Sequence, residues 1–166
     1  MPVCNLSGLS AFCQPGQCLL GLDPGSTVIG VAISDAAWRV ASPLTGIVRT
    51  KFAADAAALG IIIHERNVGG LIIGLPKNMD GSEGPAAQSA RSFAANLLKK
   101  GNLPDPDMPV VFWDERLSTA AVTRFMLADD MSRKRRDANV DKAAAAYILQ
   151  GALDALSVMT ASPDSR

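Results

Sequence analysis

Residues 19–35, LLGLDPGSTVIGVAISD, decide the fold of this 166-residue chain. An apolar run leads up to Asp23, and Pro24-Gly25-Ser26 then favours a tight turn. Residues 28–33 resume an apolar run rich in β-branched side chains, which is typical of a second strand. Two strands joined by a short glycine-containing loop make a β-hairpin. The sequence therefore predicts a hairpin with a carboxylate at the end of its first strand and little side-chain bulk beside it.

The composition indicates a single globular domain with an aliphatic core. Hydrophobic residues make up 48% of the chain and aromatic residues only 5%, which suits close-packed α/β layers. The formal net charge at pH 7 is +0. A protein that coats nucleic acid is strongly basic, so any binding of DNA or RNA by this chain must use a local basic patch.

Three cysteines, Cys4, Cys13 and Cys18, lie ahead of the hairpin motif. Their number is odd and no histidine lies near them, which favours free thiols over a disulfide framework or a zinc site. Free thiols are typical of a reducing cytosol. The basic segment of a signal peptide is missing, and no apolar run approaches the ~20 residues of a membrane span. We therefore expect a cytoplasmic protein with no membrane partner.

The order of the remaining elements predicts an α/β fold with a mixed sheet. Three leading antiparallel strands are followed by parallel strands, with helices on both faces. The later elements are an edge strand with Pro43 within residues 38–48, a helix over 52–63, a strand over 70–75, a helix over 85–100, a strand over 110–113, a helix capped by Ser118, and a helix from about 141 to 158. Residues 129–139 are predicted to form a charged loop. We divide the chain into a flexible leader (1–17), one domain (18–158) and a tail (159–166).

Acidic residues close three of these elements. Asp23 ends the first strand, Asp114 and Glu115 end the last strand, and Asp141 opens the last helix. Sites in open α/β sheets form outside the carboxyl ends of strands, so these carboxylates would share one cleft. A hard divalent cation, Mg²⁺ or Mn²⁺, would offset their mutual repulsion. Two such ions are the usual device for cutting phosphodiesters, so the sequence predicts a metal-dependent nuclease site.

Each of these carboxylates also has a purely structural explanation. Asp23 is typical of a turn before Pro-Gly, and Asp141 is favourable at a helix N-terminus. Asp114 or Glu115 can pair with Arg116. Successive residues of an extended strand point to opposite faces, so only one of Asp114 and Glu115 is expected to reach the site. The sequence leaves open which of the two does.

Candidate substrate-binding residues lie near the same strand ends. Cationic side chains there can hold phosphates. The cationic candidates are Lys77, Arg116, Arg124, Arg133, Lys134, Arg135 and Arg136, and the uncharged Asn78 is a further candidate for substrate binding. A basic run such as 133–136 is more often a solvated loop, but its position just before Asp141 favours contact with a nucleic-acid backbone.

Four motifs in order resemble the YqgF/RuvX family of Holliday-junction resolvases. They are DPGSTVIGVAISD, GLPKNMDGSEGPAAQ, DERLST and NVDKAAAAYIL, and they span roughly residues 19 to 156. The resemblance implies a ribonuclease H-like fold and divalent-metal endonuclease activity on branched DNA or structured RNA, either junction resolution or processing of the 16S rRNA 5′ end. It places the family's acidic residues on Asp23, on the Asp114-Glu115 pair and on Asp141. Family members often carry a basic residue just after the DxGx motif, where this chain has Thr27 and Val28.

Three classes of function fit these motifs to different degrees. A metal-dependent endonuclease accounts for all of the carboxylates. An actin-like or sugar-kinase ATPase also has Asp-x-Gly before a hairpin, but it needs two such domains and this chain has room for one. A non-cleaving nucleic-acid-binding factor in transcription or ribosome assembly would carry the same carboxylates. Because a resolvase acting on a two-fold junction needs two active sites, we also expect a weak homodimer.

Overall fold

A computed structural model describes residues 4–101, 103–105, 107–117 and 133–161, and in the last segment it describes side chains over 142–159. Five strands form one sheet in the order β3-β2-β1-β4-β5. The strands are β1 (Cys18–Pro24), β2 (Val28–Ser34), β3 (Ala41–Val48), β4 (Val68–Leu75) and β5 (Val110–Asp114). The α-helices are α1 (Phe52–Glu65), α2 (Pro85–Lys100) and α3 (Arg133–Ala161), and 3-10 segments lie at Leu6–Ala11 and Glu115–Leu117.

The sheet is mixed, which confirms the predicted fold class. β2 is antiparallel to both β1 and β3, whereas β4 is parallel to both β1 and β5. In the hairpin Asp23 lies opposite Gly30, so the carboxylate stands at the carboxyl end of the central strand. The carboxyl ends of β1, β4 and β5 meet at one edge of the sheet, where sites in such folds are built.

Helices cover both faces of the sheet, as the sequence predicts. Alternation along β1 sends Leu20 and Leu22 into the core beneath α1 and α2, and Leu19 into the core beneath α3. Residues 19, 21 and 23 share a face of β1 by the same alternation, so position 23 lies on the side covered by α3. No helix in the described part of the chain is long and apolar enough to cross a membrane.

The predicted elements agree with the structure except at the last helix. The edge strand β3 carries Pro43 at a position where a missing N–H is tolerated. The last helix begins at Arg133, so the prediction that it begins near Asp141 was wrong, and the basic run belongs to a helix and not to a loop. Residues 133–141 contain neither glycine nor proline, and arginine and lysine are good helix formers, so their charge does not interrupt the helix. The helix predicted after Ser118 lies outside the described residues.

The segment before β1 lies against the sheet. Leu6 and Leu9 of the first 3-10 segment are buried in the core beneath α3, and the Cys4 amide donates a 2.9 Å hydrogen bond to the Val110 carbonyl. The Cys13 thiol donates to the Gly69 carbonyl at 3.2 Å. Burial and the neighbouring Cys4 raise the pKa of the Cys13 thiol to about 11, so this thiol stays protonated. The division into leader, domain and tail stays a prediction, but residues 4–17 contact the domain.

Candidate active site

Asp23 and Glu115 line one cleft at the carboxyl edge of the sheet. Asp23 is at the end of β1 and is 7% exposed, and Glu115 follows β5 in a 3-10 turn and is 4% exposed. The cleft has a volume of about 530 Å³ and lies between the hairpin turn, Gly74 and the first two turns of α2. The structure thus brings together one carboxylate from the first strand and one from the end of the last.

Two glycines allow close packing around this cleft. A Cβ at Gly74 would lie 2.9 Å from Glu115 Oε1 and 2.5 Å from Ile148 Cδ1. A Cβ at Gly21 would lie 2.7 Å from Leu149 Cβ and 3.0 Å from the Ala145 carbonyl oxygen. Gly74 therefore leaves room for Glu115 to reach the cleft, and both glycines let α3 lie directly against the two central strands.

The contacts of α3 define the direction in which this helix runs. Ala145 and Leu149 lie over Gly21 of β1. Further along the helix, Gln150 Oε1 accepts a 2.8 Å hydrogen bond from the amide of Ala41, at the start of β3. That end of β3 pairs with the end of β2, which lies beside the amino end of β1. The helix therefore runs from the carboxyl edge of β1 toward its amino end.

This direction places the backbone of residue 141 near the cleft. Position 141 is one turn before Ala145, so it lies about 6 Å closer to the carboxyl edge. Asp23 lies two residues beyond Gly21, which is about 7 Å along the strand in the same direction. The helix backbone at 141 is thus level with Asp23 on the same side of the sheet. The side chain of Asp141 lies outside the described side chains.

Asp114 pairs with Arg116 and does not line the cleft. Arg116 Nη2 donates to Asp114 Oδ2 at 2.6 Å, and the Arg116 backbone amide donates to Asp114 Oδ1 at 3.0 Å. The guanidinium holds the pKa of the Asp114 carboxyl below its ordinary value of 3.8. Glu115 leaves the extended strand in a 3-10 turn, and it is the member of the pair that faces Asp23. The Arg116 side chain is exposed to solvent, and its guanidinium already forms an ion pair with Asp114.

The loop between β4 and α2 is held to the end of β5. Arg116 Nη1 donates to the Met79 carbonyl at 3.3 Å. Asn78 uses its side chain inside the loop, where Nδ2 donates to Ser82 Oγ at 3.0 Å. The hydrogen bonds of Arg91 are the main cause of the lowered pKa of Glu83, and the Lys77 ammonium adds a smaller lowering there and at Asp114. Lys77 and Arg116 each directly follow a residue that lines the cleft, Pro76 and Glu115 respectively.

Arg49 is a cationic side chain at the cleft that the sequence analysis missed. Its Nη1 donates to the Gly25 carbonyl at 3.0 Å, and its Nε lies 3.8 Å from Asp55 Oδ2. Its backbone amide donates to the Thr27 carbonyl at 2.8 Å, so Arg49 stands directly beside the hairpin turn. No motif marks this residue in the sequence, and its place beside position 27 follows from the pairing of Val48 with Val28 in the assembled sheet. Arg124 lies outside the described residues, and no side chain of the run 133–136 is described.

The donor set of the cleft fits a hard divalent cation. Asp23 and Glu115 supply buried carboxylate oxygens, which are the ligands that Mg²⁺ and Mn²⁺ prefer. Magnesium is usually held by one or two carboxylates together with substrate phosphates and water. Within the side chains that the structure describes, no group of three or more His, Cys, Asp or Glu could hold a metal ion. A third carboxylate, histidine or cysteine ligand would therefore come from a residue whose side chain the structure does not describe.

Solved structures share this architecture. The structure of T. thermophilus RuvC in complex with a Holliday junction substrate superposes with a TM-score of 0.51 at 15% identity, covering 85% of this chain and 96% of that chain. Thermus thermophilus RuvC alone gives 0.50 at 14% identity, covering 86% and 97%. The mixed sheet and its helices on both faces therefore define a protein of the ribonuclease H-like class.

The sequence comparisons narrow this class to one family. The sequence model described as "RuvX: Holliday junction resolvase" matches residues 17–155, and this chain belongs to that family. Relatives named "Putative pre-16S rRNA nuclease" are 55% identical over 146 residues in Roseobacter denitrificans, covering 88% of each chain, and 59% identical over 136 residues in Paracoccus denitrificans, covering 82% of this chain and 83% of the relative. A third, from Paramagnetospirillum magneticum, is 54% identical over 154 residues and covers 93% and 96%.

Proposed function

We propose that this protein is a divalent-metal-dependent endonuclease that cuts structured nucleic acid, with the 5′ end of pre-16S rRNA as its substrate. One observation carries the proposal: two buried carboxylates, Asp23 and Glu115, share a cleft at the carboxyl edge of a ribonuclease H-like sheet. The names of the relatives favour an RNA precursor as substrate, whereas the family description favours a Holliday junction. Cleavage is therefore measured on both substrates.

We assign the catalytic and metal-holding roles to Asp23, Glu115 and Asp141. The first two line the cleft, and the backbone of residue 141 lies level with Asp23 on the α3 side of the sheet. The cation is Mg²⁺ or Mn²⁺, which when bound supplies an activated water and stabilises the leaving oxygen. Asp114 positions Arg116 and the β4–α2 loop, and it is not a ligand in this assignment.

Substrate phosphates are held by cations around the cleft. Lys77 begins the loop beside it, and Arg116 fixes that loop through the Met79 carbonyl. The basic run 133–136 occupies the first turn of α3. At 1.5 Å per residue, position 133 lies about 12 Å beyond position 141, past the edge of the sheet, where a nucleic-acid backbone would approach. The cationic Arg124 and the uncharged amide of Asn78 complete the proposed set of substrate contacts.

The location and the assembly follow from this function. We place the protein in the cytoplasm, where bacterial ribosomal RNA precursors are found, and its three free thiols suit that reducing compartment. Cutting a two-fold junction requires paired sites and hence a homodimer, whereas trimming one RNA end requires a single site. Light scattering of the protein alone and with each substrate separates the two, since a 17.3 kDa species throughout favours RNA trimming.

The test is Asp23→Asn with Asp107→Asn as the matched control. Asp107 is exposed and lies before β5, at the opposite edge of the sheet. With Mg²⁺ or Mn²⁺, we expect Asp23→Asn to cut pre-16S rRNA and four-way junctions slower by orders of magnitude, while thermal melting and binding are retained. The control should cut like the wild type.

A second measurement reports on the metal without relying on activity. Mn²⁺ binding should raise the melting temperature of the wild-type protein and of Asp107→Asn, but raise that of Asp23→Asn much less. If the Asp23→Asn variant cleaves at the wild-type rate, Asp23 is not a catalytic metal ligand. A wild-type protein that binds both nucleic acids and cuts neither with either ion would instead support the non-cleaving binding factor.

A further inference from the structure

A groove continues from the cleft along the exposed face of α2. We call it the α2 groove, and Arg49 and Ser89 line both it and the cleft. Its volume is about 520 Å³. The side chains that matter here are Arg49, Phe52, Gln88, Ser89, Ser92 and Asn96.

The chemistry of the α2 groove differs from that of the cleft. Gln88, Ser92 and Asn96 recur every four residues, so they form one exposed stripe of uncharged hydrogen-bonding groups along the helix. The groove is lined by no carboxylate in the part of the chain that the structure describes. Phe52 is half-buried, and its ring packs edge-on against Phe93 with the centroids 6.4 Å apart. One cation, an apolar ring and a row of amides and hydroxyls therefore stand side by side.

Arg49 is held in place at the junction of the two grooves. Its guanidinium carbon lies 5.4 Å from the centroid of the Phe93 ring, in addition to the contacts of Nη1 with Gly25 and of Nε with Asp55. Among the described residues Nη2 has no hydrogen-bond partner. Asp55 is 2% exposed and also accepts a hydrogen bond from the Thr50 amide, so the carboxylate that orients Arg49 is itself fixed. A guanidinium fixed in this way loses little conformational freedom when it binds a phosphate.

We propose that the α2 groove binds the single-stranded nucleotides next to the scissile phosphate, with Arg49 on a backbone phosphate. The proposal rests on the proposed nuclease function and names the part of the substrate that the site takes. The amides and hydroxyls of the stripe meet ribose 2′-hydroxyls and base edges, and Phe52 provides an apolar surface for a base. A single strand fits this chemistry, because its bases are unpaired and available for such contacts.

The probes are a fluorescent RNA hairpin with a short single-stranded 5′ extension and the same hairpin with a blunt end. Binding is measured in Ca²⁺, so that cleavage does not interfere. Arg49→Gln removes the phosphate contact, and Asn96→Asp introduces a negative charge into the groove. Ala95→Asp carries the same charge change on an exposed neighbouring position of α2 outside the groove, and Arg66→Gln removes an exposed arginine at the opposite edge of the sheet.

We expect Arg49→Gln and Asn96→Asp to bind the extended hairpin about tenfold more weakly and the blunt hairpin almost unchanged. For Arg49→Gln, the slope of log binding constant against log salt concentration should become shallower by roughly 0.7 on the extended hairpin, because one phosphate contact is lost. The two control variants should match the wild type on both probes. Asn96 is exposed and makes no hydrogen bond to another described residue, so Asn96→Asp keeps the test valid even if Arg49→Gln loses stability.

The outcomes separate this inference from the proposed nuclease function. If the wild type cuts RNA but both groove variants bind the extended hairpin like the wild type, the groove assignment is wrong and the nuclease stands. Equal losses for Asn96→Asp and Ala95→Asp would also overturn it, because the charge and not the groove would then matter. If the groove variants show the expected loss while Asp23→Asn still cuts fully, the groove stands and the catalytic assignment is wrong.

Discussion

Replacing Gly74 with alanine tests whether Glu115 needs the empty space beside it. The added Cβ would lie 2.9 Å from Glu115 Oε1 and 2.5 Å from Ile148 Cδ1, which is closer than real Cβ atoms approach. Both atoms are ends of flexible side chains, so the side chains and not the backbone will move. Restoring an ordinary contact of 3.4 Å from 2.9 Å displaces the Glu115 carboxylate by 0.5 Å.

The expected effects on stability and on activity differ in size. Overpacking costs ~1–3 kcal/mol, and replacing a glycine by alanine inside a strand returns ~0.5–1 kcal/mol. The net cost of about 1 kcal/mol lowers the melting temperature by about 2–4 °C in a protein of this size. A misplacement of about 1 Å can cost about 10²-fold in rate, so a shift of half that size predicts about a tenfold loss of cleavage.

Gly21→Ala provides the comparison, because there the neighbours cannot rotate away. The new Cβ meets Leu149 Cβ at 2.7 Å and the Ala145 carbonyl oxygen at 3.0 Å, so α3 as a whole must shift. We expect a loss of stability at least twice that of Gly74→Ala. Thermal melting and single-turnover cleavage at saturating Mn²⁺ are measured on both variants. Wild-type cleavage by Gly74→Ala would refute the role given to the space at position 74.

Three further predictions concern other parts of the chain. Gly60 lies inside α1 with its nearest potential contact, Pro104 Cδ, at 3.9 Å, so Gly60→Ala should raise the melting temperature by about 2–4 °C and leave cleavage unchanged. Changing the basic run 133–136 to alanine should weaken RNA and DNA binding similarly across sequences and flatten its salt dependence, and an unchanged salt slope in a binding titration would contradict this. The pKa of Asp114 is lowered in the folded state, so its stabilising pairing with Arg116 is complete above its ordinary pKa of 3.8 and is lost as the pH falls through the lowered value. Asp114→Asn should therefore melt below the wild type at pH 7 and converge with it in acid, and a gap that persists in acid would count against the pairing.

The fold was predictable from the sequence because its signals are local. The apolar run on either side of Asp23 and the turn residues between them specify the hairpin, and the short apolar run before Pro76 specifies a buried parallel strand. The start of α3 was not predictable from charge. Apart from Ala138 and Val140, residues 133–141 are polar, yet arginine, lysine and alanine favour a helix, and the segment is helical.

The candidate site was only partly predictable because it depends on contacts between distant segments. Strand alternation predicted that only one of Asp114 and Glu115 faces the cleft, but the chain enters a 3-10 turn at Glu115, so alternation alone could not identify which. Arg49 follows a strand whose pairing with β2 shifts register between Val31 and Ala32, so its place beside the cleft follows from the assembled sheet and not from a motif. The roles of Asp23, Glu115 and Asp141 in catalysis stay predictions.

The packing of α3 on β1 has a consequence for the newly synthesised protein. The central strand leaves the ribosome early, whereas α3 is the last element that the structure describes. Until it docks, Leu19 and Ile72 are uncovered and the cleft lacks position 141. We expect a chain in which α3 has not yet docked to expose this apolar surface to chaperones and proteases, so the sheet can form before the side of the cleft nearest Asp23 is covered.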